Sequence, residues 1–165
     1  MKYFKLFILL FIISSCTKKE TVTTTYYLIR HAEKDRTDAT NKDPNLNEKG
    51  LARAKKWAEV LKDVDFDMVY ATNYKRTQQT AAPTAKNQNL EVLSYNPKNL
   101  FDSEFEKATK GKTVLVVGHS NTTPTLANKI LDEEKYEFIN DRNNANLYII
   151  TTIDNVKFPT LLKVD

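Results

Sequence analysis

Tyr26-Tyr27-Leu28-Ile29-Arg30-His31-Ala32-Glu33 is a run of four apolar or aromatic residues that leads directly into Arg-His and then into polar sequence. An apolar run bounded in this way predicts a buried β-strand. The strand would deliver a guanidinium and an imidazole to its carboxyl end, and ligands bind at that end in open α/β sheets. The segment therefore predicts a core strand and part of a binding or catalytic site.

A second segment of the same kind ends in the other histidine of the chain. Residues 113–117 are mostly apolar and lead into Gly118-His119, and the 165 residues contain only two histidines. Because the carboxyl ends of parallel strands meet at one edge of a sheet, we expect His31 and His119 to lie close together.

The order of the predicted elements indicates an α/β fold. Helices and strands alternate through the middle of the chain, which favours a three-layer α/β/α sandwich with a largely parallel central sheet. Besides 26–31 and 113–119, strands are predicted at 66–71 and 90–95, and helices at 47–61, 73–83, 102–110 and 123–131. Residues 146–152 and 157–164 follow one another without a helix, so we expect an antiparallel pair at the sheet edge.

Polar residues and prolines predict where the helices begin and end. Asn47 suits the N-cap of the first helix, Thr72 or Asn73 that of the second, and Thr123 that of the last, with Pro124 at the first helical position. A kink or an early stop is expected at Pro83. The apolar face of the first helix is predicted to consist of Leu51, Ala54, Trp57, Ala58, Val60 and Leu61.

Residues 1–15 have the pattern of a bacterial lipoprotein signal peptide. A short basic start precedes the apolar run 6–13, which is too short to span a bilayer as a mature helix. Ile13-Ser14-Ser15-Cys16 resembles a lipobox, which implies cleavage before Cys16 and lipid on its sulfur. The alternative is an ordinary signal peptide with an incidental cysteine. We expect an exported protein, lipid-anchored to a bacterial membrane on its periplasmic or cell-surface side.

Composition limits the other classes of function. Residues 16–25 are rich in threonine and lysine and predict a tether, and residues 26–165 are long enough for one domain with its own core. The formal net charge is only +4, and no basic stripe with interleaved aromatic residues is present, so no nucleic-acid partner is expected. The single cysteine excludes a disulfide within the chain.

Two arginines and two histidines at one sheet edge indicate phosphoryl chemistry. Guanidinium groups bind phosphate oxygens in pairs, and an imidazole can attack phosphorus and carry the phosphoryl group covalently. Arg30, Arg76 and His119 would bind the phosphate, and His31 would be the nucleophile. Arg76 is expected in the first turn of the second helix, where anions are attracted. Because the leaving oxygen needs a proton, a carboxylic acid is expected nearby.

Four blocks of sequence resemble the histidine phosphatase superfamily, in its phosphoglycerate mutase branch. They are residues 28–33, 46–54, 74–81 and 117–120, in the family's order. The resemblance implies a phosphoglycerate mutase-like fold over 26–165 and a phosphohistidine intermediate on His31. It also implies phosphate binding by Arg30, Arg76 and His119, with no metal and no organic cofactor. Ala32 stands where the family usually has glycine, which is tolerated unless the backbone there needs a positive φ.

No local motif identifies the proton donor. The candidates are Glu33, Asp102 and Glu104, and we group Glu33 with His31 and His119 as catalytic because it lies two residues from the nucleophile. The alternative is that all three are ordinary surface carboxylates.

The sequence predicts a metal-independent phosphomonoesterase, a histidine phosphatase, whose substrate is a phosphoprotein, a sugar phosphate or a nucleotide. One alternative is a lipid-anchored module that binds phosphorylated ligands without turnover, and another is a phosphomutase. A serine hydrolase is disfavoured, because Gly118-His119-Ser120-Asn121-Thr122 lacks the last glycine of the nucleophile elbow and no histidine follows it.

Overall fold

The computed structural model describes residues 21–154 and 156–165. The predicted signal peptide and Cys16 lie outside the described residues. The first strand already begins at Thr23, so the last three residues of the predicted tether belong to the sheet. Their β-branched side chains suit a strand, and Thr25 pairs with Thr113 and Thr151. No helix within the described ranges has the length and apolar character needed to cross a membrane.

The described residues form a mixed α/β fold in which strands and helices alternate. In chain order the elements are β1 (Thr23–Arg30), α1 (Glu48–Val60), β2 (Met68–Ala71), α2 (Lys75–Asn87), β3 (Val92–Ser94), α3 (Ser103–Thr109), β4 (Thr113–Gly118), α4 (Thr122–Leu131), β5 (Asn146–Ile153) and β6 (Val156–Lys163). The sheet order is β3-β2-β4-β1-β5-β6. The first four strands are parallel, and β5 runs antiparallel to both β1 and β6. The predicted fold class is thereby confirmed.

Two hydrophobic clusters on opposite faces of the sheet make up the core. Alternate residues of β1 point to opposite faces, so that Leu28 belongs to one cluster and Ile29 to the other. Helices α3 and α4 cover the Leu28 face, and α1 and α2 cover the Ile29 face, where Trp57 is 1% exposed. The three predicted layers are therefore present.

Helix α1 begins as predicted, but its buried face is narrower than predicted. The Asn47 side chain accepts a hydrogen bond from the Gly50 amide at 2.9 Å. Leu51 and Val60 were assigned to the apolar face, and this is wrong, because they are 47% and 45% exposed. The helix buries a narrow strip of Gly50, Ala54, Trp57 and Ala58.

The other predicted helix boundaries need corrections. Helix α4 begins at Thr122 with Asn121 at the cap position, so Thr123 is not the cap and Pro124 is the third helical residue. Helix α2 has Tyr74 at its cap position, and it does not stop at Pro83 but continues to Asn87. Its buried side chains on both sides of Pro83 pack into the core, which offsets the missing backbone donor.

Candidate active site

The register of β1 and β4 brings the two histidines together. Arg30 is paired with Gly118, so His31 and His119 follow the two strands at the same edge of the sheet. Their ring centroids lie 5.4 Å apart. An open cavity of about 430 Å³ is lined by both histidines together with Arg30 and Arg76. The four residues that sequence placed at the phosphate site thus share one cavity.

His31 is buried and held in one orientation by backbone contacts. Its amide donates to the Gly118 carbonyl at 2.9 Å, and its carbonyl accepts from the Asn144 side chain at 2.7 Å. Ring atom Nδ1 lies 2.8 Å from the Ala32 carbonyl, which can only accept, so Nδ1 carries the proton and Nε2 keeps its lone pair. Burial, with a smaller effect of Arg30, lowers the pKa of His31 to about 3. At neutral pH it is an uncharged base.

The residue after His31 causes no backbone strain. Ala32 is fully buried and has no positive φ, so the methyl group that replaces the usual glycine is accommodated. Its amide donates to the Thr80 hydroxyl on α2 at 2.9 Å. This bond ties the turn after β1 to the helix that carries Arg76.

Arg30 is 3% exposed and is held by the loop that precedes β5. Nη1 donates to the carbonyls of Asn140 and Asn143, each at 3.0 Å, and Nη2 donates to the Asp141 carboxylate at 2.7 Å. Sequence reasoning missed this loop. The signal was the polar run Asn140-Asp141-Arg142-Asn143-Asn144, which directly precedes the strand expected to run antiparallel at the edge.

Asp141 is the one carboxylate among the described residues that line the cavity holding both histidines. Its second oxygen accepts from Arg36 at 2.7 Å. The hydrogen bond from Arg30 is the main cause that lowers the pKa of Asp141. The group is therefore ionised at neutral pH, and it orients Arg30 rather than supplying a proton.

Arg76 lies in the first turn of α2, as predicted, and points at His119. Its guanidinium lies 4.4 Å from the Tyr74 ring centroid, and Nη1 is 3.7 Å from the Asp43 carboxylate. Nη2 faces Nδ1 of His119 at 3.5 Å. Only 12% of the side chain is exposed. Arg76 and Arg30 therefore approach the cavity from different elements, so each can donate to a different oxygen of one phosphate.

Counting donors assigns the tautomer of His119. The Thr77 hydroxyl donates its one proton to a backbone carbonyl, of Thr72 or of Tyr74, so it accepts from the Thr72 hydroxyl at 3.0 Å. Thr72 must then accept from Nε2 of His119 at 2.8 Å. This leaves a lone pair on Nδ1, which matches the donor that Arg76 presents. Burial and the neighbouring Arg76 lower the pKa of His119 to about 4.

The three carboxylate candidates lie in different places. Glu33 lines a neighbouring cavity of about 750 Å³ that also includes Arg30 and His31, but both its oxygens are 3.0 Å from Nε of Arg53. Asp102 caps α3, and with Glu104 it lines a third cavity that contains neither histidine. Only Glu33 of the three lies beside His31.

The site is cationic around two neutral imidazoles. Lys34 lines both cavities next to His31, and burial followed by the charge of Arg36 lowers its pKa. Within the described part of the chain, no group of three or more histidine, cysteine or acidic residues has the arrangement of a metal site. Arg30, Arg76 and Lys34 make the cavity suited to a phosphate dianion.

Comparison with known protein families gives a match over the first part of the domain. Residues 26–96 match the family model of the histidine phosphatase superfamily (branch 1). Phosphoserine phosphatase 1 of Hydrogenobacter thermophilus is 37% identical over 70 residues. That match covers 40% of this chain and 33% of the relative, so the chain is matched to about a third of the relative's length.

Solved structures share the fold over most of the chain. A phosphoglycerate mutase from Bacillus anthracis superposes with a TM-score of 0.65 and 18% identity, over 87% of this chain and 93% of the other. A phosphoserine phosphatase from Entamoeba histolytica gives 0.61 and 20%, over 85% and 95%. The resemblance to the histidine phosphatase superfamily is thus confirmed, by sequence over residues 26–96 and by a phosphoglycerate mutase-like fold over the larger part of the chain.

Proposed function

We propose that this protein is a metal-independent phosphomonoesterase that transfers the phosphoryl group to Nε2 of His31 and then to water. The observation that carries the proposal is the state of His31. Its Nδ1 proton is committed to the Ala32 carbonyl, its pKa is lowered to about 3, and it faces His119 in a cavity lined by two guanidinium groups. A neutral imidazole with a fixed free nitrogen is the nucleophile that this reaction needs.

Two displacements complete the reaction. In the first, Nε2 of His31 forms a bond to phosphorus while the bond to the leaving oxygen breaks, and that oxygen takes the electron pair and a proton. In the second, a water oxygen attacks phosphorus, the P–N bond breaks and inorganic phosphate leaves. Arg30 and Arg76 neutralise the transferring group throughout, which is the main catalytic requirement of phosphoryl transfer.

His119 is the group best placed to move the proton. Its Nδ1 carries a lone pair beside Arg76. The negative charge of a bound phosphate dianion favours the charged imidazolium, so Nδ1 takes up a proton when the substrate binds and gives it to the leaving oxygen in the first displacement. In the second displacement the free Nδ1 takes a proton from the attacking water. Glu33, the acid proposed from sequence, would first have to leave Arg53. We therefore expect Glu33→Gln to slow hydrolysis of an alkyl phosphate less than His119→Gln does.

The test is hydrolysis of p-nitrophenyl phosphate in EDTA, with His31→Ala beside the unaltered protein. We expect activity to survive chelation and to fall at least about a thousandfold in the variant, because the nucleophile itself is lost. Quenching in alkaline detergent should trap a phosphoenzyme that is stable in base, labile in acid and absent from His31→Ala. Binding of phosphate without turnover would favour the binding module instead, and loss of activity in EDTA would contradict the metal-free mechanism.

The first substrate to test is phosphoserine. The relative from Hydrogenobacter thermophilus is named a phosphoserine phosphatase. Lys34 adds a third cation at the cavity beside Arg30 and Arg76, and it would meet the carboxylate of an amino-acid phosphate. A higher kcat/KM for phosphoserine than for phosphoethanolamine, which lacks the carboxylate, is expected.

We also propose that the protein is exported and anchored through lipid on Cys16. The support is the lipobox-like Ile13-Ser14-Ser15-Cys16 after a short apolar run. Expression of the full chain in a bacterial host should place it in the membrane fraction, and Cys16→Ser should release it. An unchanged distribution would contradict the anchor.

A further inference from the structure

Exposed apolar side chains are concentrated on one edge of the sheet. Nine large hydrophobic residues are substantially exposed in the described ranges, and five of them lie on the β5–β6 hairpin. Of these five, the most exposed are Val156 at 56% and Phe158 at 52%. The five residues, which we call the edge surface, are Ile153, Val156, Phe158, Leu161 and Leu162.

Strand β6 leaves these side chains uncovered because it is the last strand of the sheet. Its residues alternate between the two faces, so Leu161 points to one face, and Val156, Phe158 and Leu162 point to the other. Val156 is paired with Ile153, which places that side chain on this face as well. Seven of the eight residues of β6 are exposed, so apolar surface runs the length of the strand.

The free edge of β6 is protected against pairing with another strand. Pro159 removes a backbone donor in the middle of the strand, and Lys157 and Lys163 lie near its two ends. Proline and lysine on an edge strand are the usual means of preventing edge-to-edge pairing. The edge surface therefore suits a partner that needs no backbone hydrogen bonds.

The chain that precedes the domain leaves it beside the β5–β6 turn. The Val22 amide donates to the Asp154 carboxylate at 3.3 Å, and the Asp154 amide donates to the Val22 carbonyl at 3.1 Å. Cys16 comes six residues before Val22, and six residues span at most about 20 Å when fully extended. A lipid on Cys16 would hold the β5–β6 turn within that distance of a bilayer.

Lysines surround the point where the chain leaves the domain. An open cavity of about 840 Å³ beside Val22 and Asp154 is lined by Lys107, Lys110 and Lys157, with Glu106 as its other acidic residue. Lys157 alternates with Val156 and Phe158 along β6 and so points to the other face of the sheet, which places the lysines and the apolar side chains on opposite sides of the same turn. A bilayer against that turn would meet both groups, and apolar side chains together with lysines are the composition that binds an anionic bilayer surface.

We propose that the edge surface rests on the bilayer that holds the lipid anchor. The proposal depends on the anchor at Cys16 and not on the phosphatase activity. Phe158 and Val156 would enter the interface between headgroups and acyl chains, and Lys157 would meet anionic headgroups. The cavity with His31 lies at the other end of β1, about 26 Å from Thr23 for eight residues. It would therefore open away from the anchored end, toward soluble phosphorylated substrates.

The test attaches the protein to vesicles and measures which edge of the sheet meets lipid. All helices and strands of the described residues lie within 23–163, so the chain from Cys16 onward contains every one of them. Its single cysteine is coupled to a maleimide lipid in vesicles of phosphatidylglycerol and phosphatidylcholine with brominated acyl chains. Phe158→Trp reports on the edge surface. Ser94→Trp, exposed on β3 at the opposite edge, is the matched control, and Trp57 is a constant buried background.

Bromine quenching of Phe158→Trp should exceed that of Ser94→Trp at least about twofold, because only an interfacial indole approaches the acyl chains. Equal quenching at the two edges overturns the proposal. Dimerisation of the uncoupled protein that Phe158→Glu abolishes also overturns it, since a second copy would then cover the surface. Phe158→Glu should keep the hydrolysis of p-nitrophenyl phosphate, so failure of this inference is separable from failure of the phosphatase proposal.

Discussion

The hydroxyl pair Thr72–Thr77 controls which nitrogen of His119 faces the cavity. Thr72 is fully buried, and its oxygen accepts from Nε2 of His119 at 2.8 Å. We predict that Thr72→Val leaves the Nε2 proton without a partner and lowers kcat by about tenfold to a hundredfold, because an unpaired buried donor costs about 1–3 kcal/mol. Thr72→Ser should restore most of the activity. The kcat and its pH profile are the measurements.

A second buried threonine supplies the control. Thr84 lies on α2 and is 2% exposed, and its hydroxyl makes no hydrogen bond with the described residues. Thr84→Val should therefore leave kcat unchanged. If Thr72→Val and Thr84→Val behave alike, or if the pH profile of Thr72→Val matches that of the unaltered protein, the hydroxyl does not control His119.

The sequence predicted the site residues that follow parallel strands, but it did not predict the polar side chains that hydrogen-bond to them. Arg30, His31 and His119 could be placed because each ends an apolar run. Asp141 could not, because its contact with Arg30 depends on the antiparallel register of β5 beside β1. Thr72 was assigned to a helix cap, whereas its hydroxyl binds Thr77 and His119.

Helix α1 approaches the turn after His31 through Gly50. A Cβ atom at Gly50 would collide with the backbone carbonyl of Glu33. The added methyl group would lie between the backbone of α1 and the backbone of Glu33, and neither can move away easily. Gly50→Ala should therefore lower the free energy of unfolding by about 1–3 kcal/mol, although alanine is the better helix former. Urea denaturation measures the change.

Leu51 is the matched control on the same turn of α1. It is 47% exposed, so Leu51→Ala should change the free energy of unfolding by less than about 1 kcal/mol. A large loss at Leu51 with none at Gly50 would mean that the sequence-based assignment of the buried face was correct after all.

The helical spacing of apolar residues predicted α1, but it did not predict how wide the buried face of this helix is. Apolar spacing shows which residues share a side of a helix, and it does not show how much of that side a neighbour covers. Gly50 and Ala54 allow close approach to the rest of the fold, so Leu51 and Val60 fall outside the contact. The start of α4 was also misplaced. The sequence pattern does not show that the hydroxyl of Thr122, its first residue, accepts a hydrogen bond from the His119 amide.

For the whole molecule, alternation of strands and helices was sufficient to predict the layers and the antiparallel edge pair. Strand order was not predicted, because β4 lies between β2 and β1 and this insertion depends on contacts distant in sequence. The same order leaves β6 at an edge with its apolar side chains exposed. A surface of that kind cannot be told from a core strand by sequence pattern alone.

The two histidines should make the stability of the whole domain depend on pH. They are the chain's only histidines, and their pKa values in the folded state, about 3 for His31 and about 4 for His119, lie below the ordinary 6.5. Between these values the unfolded chain binds protons that the folded chain does not. Stability should therefore be highest above pH 6.5 and should fall as the pH is lowered.

The groups that face the two imidazoles do not titrate in this range. Arginine side chains do not deprotonate in proteins, and the pKa of Asp141 is lowered from a value already below 4. From pH 7.5 to pH 5, buried His31 alone should lower the free energy of unfolding by about 2 kcal/mol, and partly buried His119 by less. Urea denaturation at both pH values measures the loss of stability. His31→Gln should remove most of the part of that loss that is due to His31. Equal stability of the unaltered protein at the two pH values would mean that folding does not lower the pKa of either imidazole, and the burial argument for an uncharged His31 would then be wrong.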